Sequence, residues 1–466
     1  MARIGGQLIP QYTILLMSSE VVLILTALVI ATVLRLPATA SFWGNLLDNG
    51  TLLRLMLVVI ICELTFYYHD LYDSEIARSI GRMLIRLLQA LGISFIVLGT
   101  AYHINAALSL GRGITVMAAP AIIVLVISWR FSLNVVNSHV RGAERVLLAG
   151  TTNVGLKLVQ ELQLKPEFNY QVIGFLSETK KDELISGNFS APVLGSMTDI
   201  EKIAFEHRID RIILCPSDER AEMPSSQLVR LKFNGIQIED AYKLYERVTG
   251  RIVLEGISSS WFIFSKGFRK SSVTSLLKRT SDIIIASVGI VLALPVLLIV
   301  ALAIVVEDGF PILFRQQRIG LQGKPFEIFK FRSMRNAAPT VRPSWTEDQD
   351  PRVTRTGKYI RRFRLDELPQ FFNVLRGDMS VVGPRPEQPF FCSIFENNIP
   401  FFGRRHSVRP GITGWAQIKY GYGSSMEDAW RKLELDLFYI KHLSWVLDLA
   451  VIFETAKVVI FGRGVR

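Results

Sequence analysis

"IIIASVGIVLALPVLLIVALAIVV", residues 283 to 306, is 24 residues without a charge. How this run sits in a bilayer decides the architecture around it. As a straight helix it would measure about 36 Å, enough to cross a hydrocarbon core of about 30 Å. Lys278, Arg279 and Asp282 stand before it, and Glu307 and Asp308 stand after it. Pro295, in its middle, lacks the amide hydrogen that a straight helix uses. Two readings stay open from these residues: a kinked spanning helix, or one that turns back to its own side. The face on which the downstream chemistry occurs separates them.

Upstream lie four more apolar segments, near Tyr12–Leu34, Leu53–Tyr68, Leu84–Tyr102 and Ile114–Trp129. Each reaches or approaches the roughly 20 residues that a spanning helix needs. The first is full length and no small-residue cleavage pattern follows it, so it reads as a retained helix. Glu20 and Glu63 interrupt two segments and are expected to face other helices rather than lipid. Arg78, Arg82 and Arg86 lie between the second and third segments, and Arg130, Arg141 and Arg145 leave the fourth. The opposite loops carry only Arg35, Arg54 and Arg112. The positive-inside rule therefore puts both ends of this block, residues 1–135, in the cytoplasm.

The rest of the composition agrees with membrane segments joined to globular parts. The 466 residues suggest about two to four domains. Half the residues are hydrophobic and the mean hydropathy is +0.32. The net charge of +12 suits anionic partners such as nucleotides, phospholipid head groups or phosphorylated lipids, and equally suits basic cytoplasmic loops. Nothing calls for nucleic acid. Cys62, Cys215 and Cys392 are too sparse for a disulfide framework, and neither they nor the six histidines have metal-ligand spacing.

Between residues 140 and 255 the texture alternates. "RVLLAG", "YQVIGFLSE", "RIDRIILCPS" and "IQIED" read as strands, and "TNVGLKLVQELQL" and "SSQLVRLKFNG" as helices. This is the pattern of a Rossmann-like, doubly wound parallel sheet. Its first turn, Gly150-Thr-Thr-Asn-Val-Gly155, has Thr152 where a dinucleotide fingerprint wants a further glycine. Glu178 could face a ribose, but a tight strand-to-helix turn explains both glycines without a cofactor. Residues 256–275 then read as a linker.

Residues 308–334 read as a hairpin-like basic segment. Its "GLQGKP" is no phosphate-binding P-loop, because the glycines are too close and Pro325 follows the lysine. Lys330 and Arg332, on the alternating second arm, can still point at an anion. Next comes "RRFRLDELPQFFNVLRGDMSVVGPRP", residues 361–386. Asp366 and Glu367 sit there among Arg361, Arg362, Arg364, Arg376 and Arg385. A lone Asp-Glu pair is ordinarily a solvated helix start. Here it lies beside arginine-, proline- and glycine-rich loops, including "RPGITGWAQI" from Arg409, which suit a site that gathers phosphates. An acid pair can hold a divalent ion or attack a phosphorus.

From about Lys278 to the C-terminus the chain resembles the bacterial sugar transferases, the monotopic phosphoglycosyl transferases. The motifs that carry the resemblance are "KRTSD" (278–282), "FRQQRIGLQGKPFEIFKFRSM", "LDELPQFFNVLRGDMSVVGPRPE" and "RPGITGWAQI", in ordered succession over about two-fifths of the chain. With the helical block and the middle domain, it looks like the large subclass of that family.

The resemblance implies three parts: an α-helical membrane bundle, a Rossmann-like α/β domain, and an α+β monotopic catalytic domain (276–466) with a re-entrant helix at 283–306. Relatives break that helix at a Ser-Pro pair; here the pair is Leu294-Pro295. It implies that Asp366 attacks the β-phosphorus of a UDP-hexose and expels UMP, and that Glu367 helps to hold Mg²⁺. The aspartyl-phosphosugar then yields its phosphosugar to undecaprenyl phosphate. Glucose or galactose is the family-level expectation for the sugar. Lys330, Arg332, Arg361, Arg385 and Arg409 are the candidates to bind substrate, and Lys278, Arg279 and Asp282 to position the site. The implied place is the cytoplasmic face of a bacterial inner membrane, in contact with its lipid, at the first membrane step of exopolysaccharide, O-antigen or capsule assembly. The last segment, with Trp445, is expected to be an interfacial amphipathic helix. Self-association through the bundle and middle domain is compatible with the sequence. The runner-up, a membrane-anchored NAD-dependent nucleotide-sugar dehydratase, needs an intact glycine fingerprint and a Tyr-x-x-x-Lys pair; the chain has neither. A non-catalytic scaffold is disfavoured by the intact acid pair and arginine loops.

Overall fold

A computed structural model describes the chain except residues 1, 5–6, 10, 36–48, 73–79, 111, 141–142, 178–190, 216–223, 256, 258, 269, 336–351, 422, 424 and 462–466. Glu178, Arg78 and Arg141 thus lie outside the described residues. A short hairpin, β1 (Ala2–Ile4) with β2 (Gln7–Ile9), precedes four long helices. These are α1 (Gln11–Arg35), α2 (Asn49–Tyr68), α3 (Ile80–Ile104) and α4 (Arg112–Val140), each long and apolar enough to cross a membrane. Their contact faces follow helical spacing: Ile24, Ala27, Leu28 and Ala31 on α1, and Leu55, Val58, Val59, Cys62 and Phe66 on α2. The alanines let neighbouring backbones approach closely.

The expected inward acids are found inside. Glu20 is fully buried and pairs with Arg130 Nε at 2.6 Å. The Tyr72 hydroxyl lies 2.8 Å from Glu20 and 2.7 Å from Glu63, with a single proton to share between them, and Arg130 Nη1 donates to the Leu71 carbonyl at 2.5 Å. Charges in an apolar bundle persist only when paired in this way.

The middle domain has five parallel strands: β3 (Glu144–Ala149), β4 (Tyr170–Leu176), β5 (Val193–Gly195), β6 (Arg211–Leu214) and β7 (Gln237–Asp240), in the order β5-β4-β3-β6-β7. Helices α5 (Asn153–Leu164) and α8 (Ala241–Thr249) cover one face, meeting Val146, Leu148, Phe175 and Ile213. Helices α6 (Ile200–Glu206) and α7 (Ser225–Phe233) cover the other, meeting Leu147, Ala149, Leu176 and Ile212. The strands are apolar on both sides because both sides are covered. Gly150 has φ +111°, and a side chain there would meet the Cys215 carbonyl at 2.6 Å. One on Gly155 would meet the Cys215 sulfur at 2.9 Å, while Thr152 caps α5 by accepting from the Gly155 amide. Turn geometry and packing account for both glycines.

The segment expected to be a linker is folded. It contains α9 (Ser259–Phe264), and Trp261, Phe262 and Phe268 pack on the C-terminal core. Its aromatic residues had a surface to cover, so it is not a spacer. From Ser272, α10 runs unbroken to Asp308 and stays helical through Pro295, so any bend there occurs within a continuous helix. Beyond it, β8 (Leu313–Ile319) and β9 (Pro325–Phe331) form the expected antiparallel hairpin. Then follow α11 (Arg355–Arg362), α12 (Gln370–Arg376), β10 (Ser380–Val382), α13 (Pro389–Asn398), β11 (Gly411–Thr413), α14 (Trp415–Lys419), α15 (Met426–His442) and α16 (Trp445–Phe461). Strands β10 and β11 pair in parallel. The middle domain is fastened to α14 and α15: Trp415 donates to the Gly250 carbonyl, the Ile252 amide to the Glu434 carbonyl, and Lys441 bonds Glu246 at 2.7 Å.

Candidate active site

Local chain geometry presents the acid pair. Thr354 caps α11 by accepting from the Gly357 amide at 2.8 Å. Arg364 then takes a left-handed conformation (φ +54°), which ends that helix and starts a single 3₁₀ turn over Leu365–Glu367. Pro369 caps α12, where a missing amide hydrogen costs nothing. Leu365 packs on Val300, Ile304, Phe331 and Ile360, which seats the turn against α10 and β9. The fully buried Asn373 fixes the other side. Its Oδ1 accepts from the Phe329 amide at 2.9 Å, and its Nδ2 donates to the Glu327 carbonyl at 2.7 Å.

Two of the expected cations converge on one atom. Lys330 Nζ lies 3.2 Å and Arg385 Nη2 3.0 Å from Glu367 Oε1. Burial alone would raise the Glu367 pKa, but Arg385, Lys330 and Arg364 outweigh it and hold the carboxyl well below the usual carboxylate range. Asp366 goes the other way. Burial and the neighbouring Glu367 charge push it up, against Lys330, Arg385 and Arg361. The two adjacent carboxyls therefore differ in character: one is firmly ionised and tied down, and the other is held less tightly. Arg361 joins the field around Asp366, with no hydrogen bond to the pair among the described contacts.

Other expected binders lie elsewhere. Arg332 Nη2 donates to the Asp308 and Gly309 carbonyls at 2.7 and 2.6 Å, and so closes the end of α10. Arg409 Nε donates to the Gly377 carbonyl at 2.9 Å. Neither is hydrogen-bonded to the acid pair among the described contacts.

The residues Lys278, Arg279 and Asp282 hold the elements behind the pair. Arg279 reaches the last carbonyls of α12, Val374 at 2.7 Å and Leu375 at 3.0 Å, the helix end that favours a cation. Asp282 accepts from Ser380 Oγ and the Val381 amide, both at 2.9 Å. Lys278 donates to the Val382 carbonyl, to Tyr439 and to Asp448.

Arg405 and Asp436 escaped the sequence reading. Arg405 Nη2 donates to the Arg385 carbonyl at 2.9 Å and forms an ion pair with Asp436 at 2.8 Å. This buried pair braces the loop that carries Arg385. Burial raises the Asp436 pKa to about 6, against the pull of Arg405. The one available signal was the Arg404–Arg405 doublet just upstream of Arg409.

The fold and site define a membrane-attached α+β unit that holds a two-carboxylate turn in a cationic frame. A family model for the bacterial sugar transferases matches residues 273–462, and one for a CoA-binding domain matches residues 68–224. The UDP-glucose:undecaprenyl-phosphate glucose-1-phosphate transferase of Escherichia coli K12 is 32% identical over 326 residues, 68% of each chain. The UDP-N-acetylgalactosamine-undecaprenyl-phosphate N-acetylgalactosaminephosphotransferase of Aeromonas hydrophila is 40% identical over 239 residues, 51% of this chain and 56% of its own. A putative undecaprenyl-phosphate N-acetylgalactosaminyl 1-phosphate transferase of Bacillus subtilis is 49% identical over 129 residues, 28% of this chain and 72% of its own. The chain thus spans little more than half the length of the Aeromonas relative. It belongs to the bacterial sugar transferase family.

Proposed function

We propose that this protein transfers a hexose 1-phosphate from a UDP-sugar to undecaprenyl phosphate and releases UMP. The observation that carries the reading is the pair Asp366–Glu367, with Glu367 clamped by Lys330 and Arg385 and Asp366 left without such a clamp. An Asp366 oxygen bonds to the β-phosphorus while the bond from that phosphorus to the bridging oxygen breaks and leaves with UMP. A phosphate oxygen of the lipid then attacks the same phosphorus and frees the carboxylate. Lys330, Arg361 and Arg385 reduce the repulsion between carboxylate and diphosphate. The Escherichia coli and Aeromonas relatives are named for UDP-glucose and UDP-N-acetylgalactosamine, so the class of sugar is a hexose or its N-acetylated form.

The donor set also fits Mg²⁺. Two adjacent carboxylates supply hard oxygens, and Mg²⁺ commonly takes one or two of these together with substrate phosphates and water. Among the described residues no cluster of three or more His, Cys, Asp or Glu side chains could replace them. When bound, the ion would neutralise charge on the diphosphate. Glu367 would hold it through its carboxylate, beside Asp366.

A UDP-sugar is cytoplasmic, so the site belongs on the cytoplasmic face of the inner membrane, and α10 must return to that face. Support comes from its two ends. Lys278, Arg279 and Asp282 are bound to β10, α12 and α16, while Glu307 accepts from the Arg355 and Thr356 amides at 2.7 Å and Asp308 holds Arg332. Both ends serve one folded body, and α12 and β9 are themselves joined through Asn373. A membrane core between those ends would cut that body in two. We assign the reaction to the first membrane step of exopolysaccharide, O-antigen or capsule assembly. The test is UMP release by the full-length protein across a panel of UDP-hexoses, with undecaprenyl phosphate and Mg²⁺. At least one sugar should give turnover, and its absence across the panel would refute the reading.

A further inference from the structure

Helix α16 touches two bodies at once. On one face Asp448 and Val451 are buried in the C-terminal core, and Thr455 meets Thr413 of β11 at 2.6 Å. Thr455 gives its own proton to the Val451 carbonyl at 2.7 Å, so Thr413 is the donor. On another face Glu454 accepts from Tyr67, and Lys457 pairs with Asp70 and lies 5.1 Å from the centre of the Tyr67 ring. Tyr67 and Asp70 stand at the end of α2, where the bundle meets the second-to-third helix connection. From Thr413 the path to the site is short. The Thr413 carbonyl accepts from the Gly383 amide at 2.8 Å, and two residues further Arg385 holds Glu367 at 3.0 Å.

We propose that α16 is a positioning element through which the N-terminal bundle sets the active-site loop: Lys457 docks on Asp70, and Thr455 transmits that seat through Thr413 to the Gly383–Arg385 loop. Lys457 and Thr455 touch no reacting atom. They act through Arg385, and this inference rests on the transferase reading above. The Lys457 ion pair is nearly buried, with side-chain exposures of 13% and 14%, so it fixes rotation of α16 about its own axis better than a solvated pair would. The four helices thus do more than tether the enzyme.

The full-length protein in lipid nanodiscs, assayed for UMP release with undecaprenyl phosphate, tests this by a double-mutant cycle. Asp70 has φ +59°, a conformation that asparagine tolerates, so Asp70→Asn removes the charge without backbone strain. Lys457→Gln and Asp70→Asn should each lower kcat about fivefold with the UDP-sugar KM unchanged, and the double variant should lose no more than either alone. Thr455→Val should show the same loss, with no further loss when combined with Lys457→Gln, and Thr455→Ser should restore the rate. Should Lys457→Gln fail to insert, Tyr67→Phe cuts the Glu454 bond on the same face and carries the same expectation. Full turnover in the single variants, or losses that simply multiply, would overturn the link while leaving the transferase reading intact. No UMP from the wild type would overturn both.

Discussion

Asp366 and Glu367 are neighbours in sequence and opposites in environment. If ionised Asp366 is the nucleophile, the rate must fall as pH drops through its pKa. Burial and Glu367 raise that pKa, so the acid limb of the UMP-release profile should lie above the ordinary value of 3.8. Asp366→Asn should abolish turnover. Glu367 carries the opposite sign for stability. Its folded pKa is depressed below 4.5, so its contribution is present above that pH and lost as pH falls towards the folded value. Glu367→Gln should therefore flatten the loss of melting temperature on acidification below about pH 4.5. Arg405 separates stability from activity. Arg405→Ala leaves Asp436 buried without its counter-ion, which costs about 3 to 5 kcal/mol. Arg405→Met combined with Asp436→Leu should recover most of the melting temperature yet release the Arg385 carbonyl, so UMP release should remain low.

Elements show what was legible in the sequence and what was not. The helices α1 to α4 could be read because lipid demands long apolar runs, and the doubly wound sheet because its strands must be apolar on both faces. Lys330 and Arg385 stood out as cations around a paired acid. Arg332 misled because the alternation that puts residues 330 and 332 on one face stops at Phe331, the last residue of β9. Beyond the strand, its guanidinium turns to the end of α10. The Arg405–Asp436 pair joins positions 31 apart in sequence, a distance only the tertiary fold closes. The folded stretch around Trp261 hid behind its serines. At this scale the critical joint is α12 on β9. Asn373→Ala would strand the Phe329 amide and the Glu327 carbonyl, at about 2 to 4 kcal/mol. A lowered melting temperature with weaker Glu367-dependent activity should follow.

Across the whole molecule, α10 decides topology. Cys62, Cys215 and Cys392 are all buried, so single exposed cysteines can be introduced against a quiet background. Lys324→Cys, at the hairpin tip, and Asn105→Cys, between α3 and α4, should be labelled by an impermeant thiol reagent from opposite sides of sealed membrane vesicles. Labelling of both from one side would mean that α10 crosses. In the reaction we propose, a returning α10 brings donor sugar, lipid phosphate and Asp366 together on one face.

The most direct measurement is the intact mass of the purified protein after exposure to UDP-sugar and Mg²⁺ without lipid acceptor. A gain equal to one phosphosugar, mapped to the peptide containing Asp366, lost on adding undecaprenyl phosphate and missing from Asp366→Asn, is the expected result. UMP formation with an unmodified protein, or the same adduct in the Asp366→Asn variant, would contradict an aspartyl-linked intermediate at this site.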